Sequence, residues 1–79
     1  MTNRETIIRI LSEIKPTKSL VQINDIIEGG YLDSFELLLL ISQLMETFSI
    51  DIGVDEIAPE NFNSIEAMEG MVSRLQQEK

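Results

Sequence analysis

Between Ser34 and Phe48 lies a segment that is apolar on two faces at helical spacing, and it constrains the fold more than any other stretch. Leu37, Leu40, Ile41, Leu44 and Phe48 recur along one face. Phe35, Leu38, Leu39, Ser42, Met45 and Glu46 occupy an arc roughly opposite, by the period of 3.6 residues. Asp33 is a good N-cap, and Glu36 three residues later completes a capping-box pattern, so a helix is predicted over 34–48. A helix that is apolar nearly all round needs protein on all sides. A chain of 79 residues has too little core to supply it. The expectation is one core face, Leu37 to Phe48, and one docking face built on Phe35, Leu38, Leu39, Ser42, Met45 and Glu46. Methionine suits an adaptable contact surface.

The flanking segments read as helices too. Ile7, Ile10, Leu11 and Ile14 predict a first helix over about 4–15, capped by Asn3 and stopped by Pro16. Residues 16–32 form a long connection whose Leu20, Val21, Ile23, Ile26 and Ile27 should pack against the bundle, with Gly29-Gly30 breaking the chain before Tyr31. The alternation Phe48-Ser49-Ile50-Asp51-Ile52 is short and has no partner strand, so it is read as an extended connection. A short helix or turn over about 55–61 is expected, capped by Asp55 and limited by Pro59. A last helix over 64–77 is capped by Asn63 or Ser64, with Ile65, Met68, Val72 and Leu75 inward and Gln76 to Lys79 frayed. The fold class is therefore all-α: one domain over 1–79, a four-helix bundle of three longer helices and one short one, with a long first loop.

Composition narrows the function. With no cysteine, the chain has no disulfide and offers no thiolate. With no histidine, it lacks the usual general base and the usual partner of a nucleophilic serine, which argues against an unaided hydrolase. No signal-peptide pattern opens the sequence and no apolar run approaches membrane-spanning length, so no membrane span and a cytoplasmic setting are expected. The net charge of −8 is unevenly spread. Residues 1–18 carry +2, residues 19–73 hold eleven acidic residues and no basic one, and the last six residues carry +1. So acidic a middle repels nucleic acid and steers toward basic protein surfaces, besides aiding solubility. The carboxylates Asp51, Asp55, Glu56 and Glu60 lack the spacing of a calcium loop and read as solvated surface. Phe62, just before a helix cap, reads as a packing residue.

Ser34 is the residue most open to chemistry. It begins the second helix after a long loop, and free backbone N–H groups at a helix start favour a phosphate. A bare Asp-Ser pair is usually only a cap. Here Gly30-Tyr31-Leu32-Asp33-Ser34-Phe35 resembles the attachment motif of acyl carrier proteins. Phe48, fourteen residues after the serine, matches the aromatic that closes helix two in that family, and Ile50 and Ile52 match its apolar positions. The resemblance spans roughly residues 4–77 and is most specific over 29–65.

What the resemblance implies is an acyl-carrier-type bundle in which Ser34 carries 4′-phosphopantetheine derived from coenzyme A and Asp33 also contacts the transferase that installs it. The carrier is non-catalytic and holds its cargo as a thioester on the arm. Its partners are a phosphopantetheinyl transferase, an adenylating ligase or acyltransferase that loads an acyl or aminoacyl group, and an acceptor enzyme, and a monomer is expected. Fatty-acid carriers commonly have glutamate at the positions of Leu39 and Met45. The closer similarity is to D-alanyl carrier proteins and other free-standing, ligase-loaded carriers. These share the leucine-rich second helix, the aromatic matching Phe62 and a junction like Asn61-Phe62-Asn63-Ser64. D-alanyl carriers usually have methionine where Phe35 stands, so the cargo does not follow. The alternative is an unmodified helical interaction module that docks through helix two.

Overall fold

Thr2, not Asn3, caps the first helix. Its Oγ1 accepts the Glu5 N–H at 3.1 Å, and Glu5 Oε1 accepts the Thr2 N–H at 2.9 Å, a complete capping box. Thr2 can fill this role because Glu5 stands three residues on, whereas Asn3 has Thr6 at that place. Asn3 is instead the first helical residue, and its amide donates to Gln76 Oε1 at 2.9 Å, tying the first helix to the last. The computed structural model describes residues 2–16 and 20–78. In chain order these form α1 (Asn3–Ile14), α2 (Ser34–Phe48), a 3₁₀ helix (Val54–Glu56), α3 (Pro59–Phe62) and α4 (Ile65–Gln77). The protein is all-α, with three long helices and one short one, and no strand occurs among the described residues.

Packing follows the apolar stripes. α1 lies against α4 and α2, and α3 lies against α4. Ile7, Ile10 and Leu11 of α1 meet Leu40, Ile41 and Leu44 of α2 and Ile65, Met68, Val72 and Leu75 of α4 in one core. Leu37 and Phe48 are half-buried at its margin. Each fully buried Leu or Ile contributes about 1.5–3 kcal/mol of transfer free energy. Met71 belongs to the core as well. It stands three residues after Met68 and four before Leu75, so it widens the stripe by one position.

The long connection packs through part of its apolar set. Leu20 and Ile26 are buried, and Ile23 and Ile27 half-buried. Val21 does not pack inward and is 36% exposed. Residues 17–19 of this connection, like Lys79 of the expected frayed end, lie outside the described residues. Gln76 and Gln77 are helical, not frayed, with Glu78 closing α4. The loop ends in a tight turn where a side chain at position 29 would meet the Asp25 carbonyl at 2.6 Å and Gly30 takes a φ of +75°.

The segment after α2 is neither helix nor strand over residues 50–53. Ser49 adopts the left-handed conformation at φ 55° and ends α2, after which Ile50 and Ile52 turn into the core. The single short helix expected over 55–61 is split in two. Gly53, not Asp55, precedes the 3₁₀ helix, and Pro59 opens α3 as its first residue instead of limiting it. Proline is well placed there, since a first-turn N–H has no helical partner to lose. Among the described residues, no helix is long and apolar enough to cross a membrane.

Candidate functional site

The start of α2 is held by three restraints, two of which meet at Glu36. Asp33 Oδ1 accepts the Glu36 N–H at 2.7 Å, and Glu36 Oε1 accepts the Asp33 N–H at 3.0 Å, so the expected capping box is present. Leu32, immediately before the cap, is buried, and Leu37, one turn into the helix, packs against the same core. Lys15, the residue that ends α1, reaches Glu36 and donates to Oε2 at 2.9 Å and to Oε1 at 3.1 Å. The turn that carries Ser34 is thus fastened through its cap, its apolar flank and an ion pair to α1.

Ser34 is the first residue of α2 and is exposed. Asp33 engages the N–H of Glu36, and the N–H groups of Ser34 and Phe35 have no partner within the helix. An anion bonded to the serine oxygen therefore meets the positive end of the helix dipole. The Glu36 carboxyl is held below the usual carboxylate range, first by the Asp33 backbone N–H and then by the Lys15 ammonium. Since this lowers its folded value below the unfolded one, Glu36 favours the fold at neutral pH and loses that contribution as the pH falls through the folded value.

Asp33 is exposed, so its cap can be tested without disturbing the core. Asp33→Ala is expected to lower stability by about 0.5–2 kcal/mol. Urea unfolding curves measure this, with the midpoint falling and the slope unchanged. An unchanged midpoint would mean that Leu32 and Lys15 hold the turn unaided.

One face of α2 is open, as the two-faced pattern predicts. Phe35 is 69% exposed, Leu38 64% and Leu39 40%. Ser42 and Glu46 lie exposed on the same arc. Met45 departs from it, being half-buried and packed against the core. Its position four residues after Ile41 and one after Leu44 puts it on the border between the faces, a placement that spacing alone leaves open.

Two contributors are invisible in the sequence pattern. Lys15 is twenty-one residues from Glu36 along the chain, and local spacing does not bring them together. Asn63, read as a possible helix cap, instead latches the loop before the site. Its Oδ1 accepts the N–H groups of Ile27 at 3.0 Å and Glu28 at 3.1 Å, its amide donates to Glu28 Oε1 at 2.8 Å, and its carbonyl accepts the Ile26 N–H at 2.8 Å. Ser64 is the cap of α4, accepting the Ala67 N–H at 3.0 Å. An asparagine with a cap-forming serine next to it is free for other work, which is the only clue the sequence held.

The acidic residues after α2 do not assemble into a centre. Asp51, Asp55 and Glu60 are exposed, and Glu56 pairs with Arg74. Among the described residues, no three histidine, cysteine or carboxylate side chains gather as metal ligands. Phe62 is 1% exposed at the end of α3, a packing residue as its position suggests. Compared with models of known protein families and with curated proteins, the chain matches none.

Proposed function

We propose that this chain is an acyl or aminoacyl carrier protein with an acyl-carrier-type four-helix bundle, and that Ser34 carries 4′-phosphopantetheine. The observation that carries this assignment is an exposed serine at the first position of a capped helix, beside an exposed apolar arc on the same helix. The residues suit the group. The serine oxygen is accessible, and free N–H groups at the helix start complement a phosphodiester. The chain has no cysteine, so a thioester needs a thiol from elsewhere. When attached, the arm supplies that thiol.

Ser34 Oγ is the nucleophile in the attachment step. It forms a bond to the phosphorus of coenzyme A that bears the pantetheine, the bond from that phosphorus to 3′,5′-adenosine diphosphate breaks, and the serine proton passes to a base of the transferase. Asp33 organises the turn and contacts that transferase. Phe35, Leu38, Leu39, Ser42 and Glu46, with Met45 at the border, form the face that partner enzymes grip. Tethering then raises the effective concentration of the cargo at whichever enzyme holds the carrier. Only Glu36 and Glu46 are acidic on α2, and Glu36 is occupied by Lys15. This favours partners that recognise an apolar surface over the basic enzymes of fatty-acid synthesis. A free-standing, ligase-loaded carrier of the D-alanyl type, acting as a cytoplasmic monomer, fits best.

Incubation with coenzyme A and a broad-specificity transferase should add one phosphopantetheinyl group to the wild type, read by intact mass. Ser34→Ala should add none. Modification that persists in Ser34→Ala would overturn the assignment of the site. A second reading draws on the exposed Phe35 and Leu38: the chain is an interaction module that docks through α2 and is never modified. A wild type that gains no mass would favour it.

A further inference from the structure

We infer that Lys15 is a positioning residue for Ser34, acting from α1 through Glu36; this rests on the carrier reading above. The pair is sheltered, with the lysine side chain 32% and the glutamate side chain 18% exposed. Surface pairs of flexible, fully solvated side chains contribute little. This one differs because each end is already fixed. Lys15 closes α1, its N–H donating to the Leu11 carbonyl at 2.8 Å. Glu36 is clamped by its own bond to the Asp33 N–H. Glu36 Oε1 receives both that N–H and the Lys15 ammonium, so the lysine bears on the same oxygen that holds the cap.

Charge distribution makes the role specific. Residues 19–73 hold no basic residue, so a counter-charge for the first turn of α2 must come from another segment, and α1 supplies it. Each partner also stands at the helix end where its sign is favoured, the cation at the close of α1 and the carboxylate at the opening of α2. Without Lys15, the Glu36 carboxylate is uncompensated two residues from Ser34. It is then less firmly held to the cap, and it repels the diphosphate of coenzyme A. Lys15 therefore both steadies the turn and neutralises one of the two carboxylates, Asp33 and Glu36, that form its cap.

The test is the rate at which the 79-residue chain takes up the arm at subsaturating carrier, with folded fractions matched by circular dichroism. Lys15→Met keeps the length of the side chain and removes the charge, and should slow attachment roughly tenfold, the scale of a lost charge-assisted hydrogen bond. Lys15→Arg, which can still pair with a carboxylate, should restore most of the rate. Glu36→Gln keeps a capping side chain and removes the charge that Lys15 neutralises, so in that background Lys15→Met should add little, because the two act as a unit. If the wild type is modified and Lys15→Met reacts at the same rate, the inference falls and the carrier reading stands. An equal loss from Lys15→Met in both backgrounds would also overturn it, since Lys15 would not be acting through Glu36. Should Lys15→Met not fold, Lys15→Gln, which is polar and uncharged, takes its place, and a wild-type rate there refutes the inference. A wild type that takes no arm removes the carrier reading and this inference together.

Discussion

Phe62→Ala should remove about 3–5 kcal/mol of the fold's stability. Phe62 is among the largest side chains fully enclosed by the fold, at 1% exposure, and it ends α3 directly beside the α3–α4 junction. With Ile27, Leu37, Ile57, Ala58 and Pro59 it lines a cleft of about 60 Å³, where the loop before the site, α2 and the segment after it meet. Removing a buried phenylalanine side chain costs about 3–5 kcal/mol, in lost transfer free energy and in the void left behind. A domain of this length has a total stability of roughly 4–12 kcal/mol, at 0.05–0.15 kcal/mol per residue. The substitution therefore consumes a large part of it. Phe62→Leu keeps much of the volume and should fold. Urea unfolding of both variants measures the effect, and a midpoint for Phe62→Ala close to wild type would show that the neighbours collapse into the void. Packing is the whole of the role assigned to Phe62, so folded Phe62→Leu should accept the arm at the wild-type rate.

The parts of this structure that were legible in the sequence are those fixed by short-range rules. Asp33 and Glu36 stand at capping-box spacing, and both bonds are present. The stripes of α1, α2 and α4 give the core because side chains three and four residues apart share a face. The same rule separated Phe35, Leu38 and Leu39 from that core. Where two local signals competed, the choice was not determined. Thr2 and Asn3 are both good caps, and the glutamate at position 5 decides between them. Pro59 reads as the limit of a short helix, yet it stands at the first position of α3, where proline loses no helical bond. What the pattern did not contain is the long-range polar wiring: Lys15 to Glu36, Asn63 to the backbone of Ile27 and Glu28, and Arg74 to Glu56. These contacts join residues eighteen to thirty-six apart along the chain, and they depend on how helices and loops are brought together. Met45 shows the limit in one residue: helical period places it near the outer arc, and packing turns it partly inward.

That placement of Met45 decides which substitution tests the docking face. Leu38 is 64% exposed, so Leu38→Glu removes no core contact and should change stability by no more than about 0.5 kcal/mol. If the arc seats a partner enzyme, the new carboxylate is buried there without a counter-charge, which is costly. On the carrier reading proposed above, loading by its ligase should then fall by more than about tenfold, with attachment to Ser34 by a broad-specificity transferase less affected. Met45→Glu confounds the two effects. Its charge would enter a half-buried position against the core, so it should lower the unfolding midpoint as well as the loading rate. Leu39→Glu offers the converse test. It is 40% exposed, and glutamate at that place is common in fatty-acid carriers, so recognition by basic fatty-acid enzymes should rise as loading by the native ligase falls. A folded Leu38→Glu protein that is loaded at the wild-type rate would show that the apolar arc is idle, and that the proposed loading partner grips the chain elsewhere.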